Sequence, residues 1–183
     1  MPGIAHQAAG AEARQEKMAE TRAGPVMLGP IRDEELSALF DLFADIVARG
    51  DGFPHEPPLT AEMFAATWVD TVSAVVVARL EQIVAGAYYL KPNFVGRAAH
   101  IANAGYVVSP AYRRSGIGRV LVEDSIWRAP LHGFDAVQFN LVFTSNPARV
   151  LYEELGWQVV GTLPRAVDGE DCLVYWRAVG RGS

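Results

Sequence analysis

The chain carries one cysteine, Cys172, which excludes an internal disulfide and a cysteine-built metal cluster and suits a reducing, cytoplasmic compartment. No apolar run approaches the roughly 20 residues that cross a bilayer, so no membrane partner is expected. A basic surplus is also missing. Sixteen Lys and Arg face 21 Asp and Glu, leaving a net charge of −5. Such a chain has no global field to recruit nucleic acid or an anionic surface, so any cationic site must be local. Residues 1–24 lack the apolar stretch of a signal peptide, and Glu12, Glu16 and Glu20 disfavour an organelle transit sequence. Internal repeats and low-complexity blocks are absent as well.

What remains is the composition of a globular protein, half apolar and one fifth charged over 183 residues. That length suits one domain. We expect residues 1–24 to be a disordered extension and residues 25–183 a single folded domain.

Residues 26–32 read as a first short strand. Leu36, Leu39, Phe40, Phe43, Ile46 and Val47 recur at helical spacing between Asp33 and Arg49, with acids in the first turn and Gly50 as terminator. Pro54, Pro57 and Pro58 make the next stretch irregular. Thr60 is the candidate N-cap of a second helix. SAVVVARL and QIVAGAYYL form a predicted hairpin, and HIANAGYVVS a further strand that leads through Arg113–Gly118 into a third helix. DAVQFNLVF is a buried strand. The helix after it has Asn146 as candidate N-cap, Pro147 at its first position and Gly156 as its stop. Two closing strands follow. The order predicts a mixed α+β sheet, mostly antiparallel, with helices on both faces.

The turn before the third helix is chemically loaded. Gly116 and Gly118 let successive main-chain N–H groups point into one concavity that a ligand can approach closely. The helix behind them contributes its positive end and unpaired donors. Arg113, Arg114 and Arg119 add fixed cations, and Ser115 a hydroxyl. Together they suit a diphosphate. A dinucleotide fingerprint would need glycine where Leu121 stands, and a P-loop would need Gly-Lys-Ser/Thr, which is absent.

Arg113-Arg114-Ser115-Gly116-Ile117-Gly118 resembles the Arg/Gln-x-x-Gly-x-Gly/Ala acyl-CoA loop of the GNAT superfamily of N-acetyltransferases. It lies after the fourth predicted strand and opens the third helix, as in that family. About thirty residues on, the stretch from Ala148 through Tyr152 to Gly156-Trp157 is similar to the family's Ala-x-x-x-Tyr-x-x-x-Gly-Phe/Trp helix. The resemblance spans about residues 25–178. It implies acetyl-CoA as co-substrate, with the diphosphate on residues 113–119, Ile117 included. It also implies the pantetheine arm against the main chain of Val107 and Val108, the Val108 N–H polarising the thioester oxygen. Family members often form homodimers, which makes a homodimer one possible assembly.

A narrower resemblance concerns the acceptor. The stretches from His100 to Tyr106 and from Phe139 to Asn146, with Lys91 to Phe94 before them, look like the fungal N-acetyltransferases that detoxify azetidine-2-carboxylate and other proline analogues. It implies that Asn103 meets the substrate carboxylate, while Asn140 serves catalysis and Asn146 the acetyl-CoA side. Two features depart from that group. Those enzymes carry another aromatic where Tyr152 stands, and the helix is one residue shorter, so Ser145 competes with Asn146 as the cap.

The chemistry needs a neutral amine, a polarised thioester and a proton for the leaving thiolate. Tyr152 is the candidate acid, its alternative being a packed core tyrosine. Asn140 either orients the thioester or is a core amide satisfied by neighbours. The base is open among His55, Glu56, His100 and a water held by Asn103. Phe53, His55 and Glu56 are expected to face the acceptor. Direct transfer in a ternary complex follows, because Cys172 lies outside both motifs and Ser145 has no neighbouring His. The alternatives are N-terminal acetylation of proteins or peptides, and a non-catalytic acyl-CoA-binding module.

Overall fold

The β-rich runs become the middle of one sheet because they are apolar on both faces, with Val75–Ala78 and Ala85–Leu90 buried throughout. A computed structural model describes residues 10–180. Its elements run β1 (Lys17–Thr21), β2 (Gly24–Pro30), α1 (Leu36–Ala48), α2 (Ala61–Trp68), β3 (Ala74–Leu80), β4 (Ile83–Pro92) and β5 (Ile101–Val108). They continue with α3 (Ile117–Arg128), β6 (Ala136–Phe143), α4 (Arg149–Glu154), β7 (Gln158–Val167) and β8 (Glu170–Ala178). The eight strands lie in the order β1-β2-β3-β4-β5-β6-β8-β7. All neighbours are antiparallel except β5 and β6. The expected α+β class, a mostly antiparallel sheet between helices, is what forms.

The helices divide the core in two. Leu39, Phe43, Ile46 and Val47 of α1 join Phe64 and Trp68 of α2 on one face, against Val77, Ala87, Tyr89 and Val107. Ile117, Leu121 and Val122 of α3 and Tyr152 of α4 join Tyr88, Ala104 and Phe139 on the other. Thr60 caps α2 as expected, accepting the Met63 N–H at 3.2 Å. The first helix begins later than its periodicity indicated, because residues 33–35 form a 3-10 turn in which Glu35 bonds the buried Arg79 instead of extending α1.

The N-terminal boundary differs from expectation. Residues 1–9 lie outside the described residues, but Lys17–Thr21 forms a strand paired along its length with β2. The cause is a buried cation. Arg128, fully enclosed, donates to Asp124 at 2.6 Å and to the carbonyls of Ala13 and Gln15 at 2.6 and 2.7 Å. A buried guanidinium without those acceptors would be costly, so the segment is drawn onto the sheet.

One feature of the sheet makes the site. The parallel pairing of β5 and β6 covers only Ile101–Asn103 against Ala136–Gln138, after which the strands part. β6 is irregular beyond that point, its register with β8 shifting between Phe139 and Val142. The sheet thus opens between Ala104–Val108 on one side and Phe139–Phe143 on the other.

Candidate active site

Where the strands part lies a cleft of about 580 Å³. Its walls come from both faces: Phe53, His55, Thr67, Tyr89, Lys91 and Asn103 on the α1–α2 side, and Val122, Phe139, Leu151 and Tyr152 on the α3–α4 side. A volume of this order suits a small ligand together with part of a larger one.

The register of β5 decides which main-chain groups face this cleft. Ser109 N–H donates to Ala85 O, and Asn93 N–H donates to Ile101 O. Main-chain groups in an antiparallel pair alternate between the two edges. The odd-numbered residues therefore bond β4, and Ala104, Tyr106 and Val108 present N–H and C=O to the open edge. Val108 is placed as expected. Val107 is not: its main chain pairs with Ala87, and its side chain belongs to the α1–α2 core. Tyr106 presents its main chain there instead, a placement hidden from the sequence because strand parity depends on which neighbour pairs.

The loop before α3 is a run of unsatisfied donors. The first helical bond is Val120 N–H to Gly116 O at 3.2 Å, and no main-chain N–H from Arg114 to Arg119 finds an acceptor among the described residues. The chain reaches this shape through left-handed conformations at Arg114 (φ 58°) and at Gly116 (φ 99°), the latter being the N-cap of α3. A glycine adopts that angle without strain. Six consecutive free donors at a helix N-terminus form an anion cradle. The Ile117 side chain is core and contributes only its N–H. Arg113 lines the cleft and pairs with Asp51 at 2.6 Å, while Arg119 pairs with Glu154 and Glu123. These exposed pairs are weak enough to exchange for a phosphate. Arg114 has no carboxylate partner among the described residues, and the Ser115 hydroxyl donates to Tyr112 O.

Tyr152 sits on α4 among Phe139, Tyr106, Trp157 and Tyr175, with ring centroids 4.7 to 6.3 Å away. It is 8% exposed, and its hydroxyl has no hydrogen-bond partner among the described residues. Burial and then Tyr175 push its pKa up, so the phenol stays protonated. Full transfer of that proton is therefore more uphill than solution values indicate.

Asn140 and Asn93 exchange amide hydrogen bonds at 2.7 and 3.1 Å, and Gln138 Nε2 also donates to Asn140 Oδ1 at 2.9 Å. Asn140 Oδ1 is thus occupied, and one N–H is left to donate into the cleft. Asn103 is similarly committed. Its Oδ1 accepts the Tyr89 hydroxyl, and its Nδ2 donates to Gln138 O, both at 3.1 Å. Gly105 makes this possible, since a Cβ there would lie 2.7–2.8 Å from the Tyr89 ring. Asn146 lines the cleft but is not the cap of α4. Its Oδ1 accepts the Ala148 N–H in a two-residue turn, and the helix begins at Arg149.

Of the acceptor-side residues, Phe53 and His55 line the cleft, whereas Glu56 is exposed and does not. His100 is on the surface, 3.0 Å from Arg97 O. His55 Nε2 lies 3.0 Å from Thr67 Oγ1, whose hydroxyl donates to Met63 O, so Nε2 carries the proton and Nδ1 keeps a lone pair. That Nδ1 is buried without a partner.

Burial, then Lys91, lowers the pKa of His55, and burial, then Arg128, lowers that of His132. A histidine depressed in the folded state is protonated first in the unfolded chain, so stability is lost as pH falls below the unfolded value of 6.5. Glu35, Glu62 and Glu170 are held below 4.5 and do not titrate in that window. Thermal unfolding between pH of about 7.5 and about 5.5 should therefore show a declining Tm. Each histidine contributes at most about 1.4 kcal/mol per pH unit. His55→Gln flattens the decline; a Tm constant across that range contradicts it.

A sheet opened between two strands, with an anion cradle on the loop before α3 and a tyrosine hydroxyl without a hydrogen-bond partner among the described residues on the cleft wall, is the architecture of an acyl-CoA-dependent transferase. The chain belongs to the acetyltransferase (GNAT) family, whose description matches residues 36–157. Acetyl-CoA is the co-substrate of that family. Among curated relatives, an 82-residue segment is 44% identical to N-acetyltransferase aca1 of Schizosaccharomyces pombe. A segment of the same length is 34% identical to protein SPT10 of Saccharomyces cerevisiae. Each segment covers 44% of this chain, but 39% of the first relative and 13% of the second. Among solved structures, a GCN5-related N-acetyltransferase from Kribbella flavida superposes with TM-score 0.77 at 31% identity, covering 84% of this chain and 97% of that one. A phosphinothricin acetyltransferase from Sinorhizobium meliloti in complex with acetyl-CoA shares the fold at TM-score 0.74 and 22% identity, over 86% and 90% of the two chains.

Proposed function

We propose that the chain transfers the acetyl group of acetyl-CoA to the amino group of a small molecule, an amino acid or proline-like analogue, directly within a ternary complex. The observation that carries this reading is the unbroken run of free N–H groups from Arg114 to Arg119, continuous with the open edge of β5. The diphosphate seats on that run. The pantetheine arm then adds to β5 as an extra strand, entering at Val108 and running through Tyr106 toward Ala104. The thioester thus lies at the Asn103 end of the cleft, and an N–H of that open edge polarises its oxygen. The remaining N–H of Asn140 steadies the reacting end. His55 Nδ1 accepts the ammonium proton of the acceptor. The freed amine attacks the carbonyl carbon, the C–N bond forms as the C–S bond breaks, and Tyr152 gives its proton to the departing sulfur. The proton shed by the new amide nitrogen restores Tyr152, and His55 passes its proton to solvent.

The small acceptor follows from the α1–α2 wall, where Phe53 and His55 close the cleft beside Tyr89 and Asn103. An acceptor bearing a secondary amine, as proline analogues do, suits a detoxifying role. The test is free-thiol release from acetyl-CoA across a panel of amino acids, proline analogues and simple amines, beside calorimetry with acetyl-CoA. Expected are saturable binding of acetyl-CoA and turnover with amino acids or proline analogues. Thiol release with N-terminal peptides alone transfers the reading to protein acetylation, and binding without release to a non-catalytic module.

A further inference from the structure

Lys91 is a cation in a cavity with nothing to neutralise it. It follows Tyr89 by two residues on β4 and so points to the same face, where its Nζ lies 4.9 Å from the Tyr89 ring centroid. It lines the cleft on the α1–α2 side. No carboxylate lies within 4 Å of it among the described residues, although most other buried or half-buried cations of the chain are paired. The acid that lines the cleft, Asp51, is taken by Arg113 at 2.6 Å. Withdrawing an ammonium from water without a counter-ion is unfavourable, and a ring face offsets only part of that.

The polar inventory around Lys91 narrows its purpose. Asn103 has spent its oxygen on Tyr89 and one N–H on Gln138 O, so it cannot hold a carboxylate by both amide protons. Tyr89 donates its hydroxyl to Asn103. His55 is neutral and offers a lone pair, which repels an anion and suits an amine. Lys91 is then the acceptor-side group with strong donors to spare. It pairs with Asn103 across β4 and β5. Five residues, or about 17 Å of strand, separate this level from Val108, where the thioester arm begins. The lysine therefore lies at the acceptor end, away from the diphosphate.

We propose that Lys91 is the anchor for an anionic group on the acceptor, so that the amines this protein acetylates carry a carboxylate. This rests on the reading of the cleft as an amine-acetylating site. A carboxylate on Lys91 and an amine on His55 Nδ1 are the two ends of one small amino acid, and the anchor fixes which end reaches the thioester.

The experiment compares L-proline with L-prolinamide and L-alanine with L-alaninamide, each at matched free-amine concentration. Wild type, Lys91→Met and Lys91→Arg are assayed by thiol release. Wild type should favour each carboxylate over its amide. Lys91→Met should raise KM for the carboxylates by about 10- to 100-fold, the loss expected of a charge-assisted contact, and erase the preference. KM for acetyl-CoA and the Tm stay put, and Lys91→Arg keeps part of the preference. Amides as good as carboxylates in wild type, or a preference that survives Lys91→Met, overturns the anchor while leaving acetyl transfer intact. Absence of thiol release with every amine overturns the underlying reading, and the anchor with it.

Discussion

Tyr152→Phe lowers kcat by about a hundredfold or more, the usual effect of removing a positioned acid, while the Kd for acetyl-CoA and the Tm hardly move. The asymmetry follows from the hydroxyl having no partner in the folded protein. Deleting it breaks no hydrogen bond, and the ring keeps its contacts with Phe139 and Trp157. A tyrosine whose role was packing would also tolerate Phe, but without loss of rate. The raised pKa shapes the expectation further. Tyr152 is a reluctant donor and becomes effective only as negative charge grows on sulfur. Its contribution therefore appears in kcat and not in ground-state binding. Single-turnover measurement of thiol release at saturating acetyl-CoA reads this directly. A variant with unimpaired turnover sinks the assignment.

Much of the fold was legible because its central elements agree with their own periodicity. Residues 75–79 and 85–90 could only be buried strands, and the apolar stripe from Leu39 to Val47 could only be a core-facing helix. The run of free main-chain donors before α3 was legible too, since two glycines in a strand-to-helix turn let successive N–H groups point outward. What could not be read depends on partners distant in sequence. Lys17–Thr21 shows no apolar alternation, and Met18 is 61% exposed. The strand exists because Arg128, over a hundred residues later, needs the carbonyls of Ala13 and Gln15. The placement of Val107 was off by one residue because the bonding parity of β5 is set by β4. Asn146 has the residue type of a cap, but Pro147 and Ala148 form a turn before α4 begins. Glu56 sits beside His55 in sequence, yet the proline-stiffened loop turns it outward. Lys91 drew attention only within a resemblance, and its isolation from any carboxylate is a property of the folded cavity.

Gly118→Asp separates binding from folding, because its two effects should have opposite signs. Gly118 is the second residue of α3, its φ is not left-handed, and the nearest atom to an added Cβ is Val108 Cγ2 at 3.8 Å. A side chain therefore fits. Replacing a helical glycine recovers up to about 1 kcal/mol of propensity, and an acid in the first turn favours the helix dipole. The variant should unfold at the same temperature or higher. Its carboxylate, however, occupies the mouth of the donor run from Arg114 to Arg119 and satisfies from within the N–H groups a diphosphate would use. Losing two such contacts, with added repulsion, weakens acetyl-CoA binding by about a hundredfold or more. Once acetyl-CoA is saturating, kcat should recover, since Tyr152 is on α4 and takes no part in the donor run. That pattern, KM raised and kcat retained, is the reverse of Tyr152→Phe, and together the two variants assign the ends of the bound cofactor. Undiminished calorimetric affinity in Gly118→Asp means that the diphosphate seats elsewhere, and the direction in which the thioester is threaded between β5 and β6 would have to be redrawn.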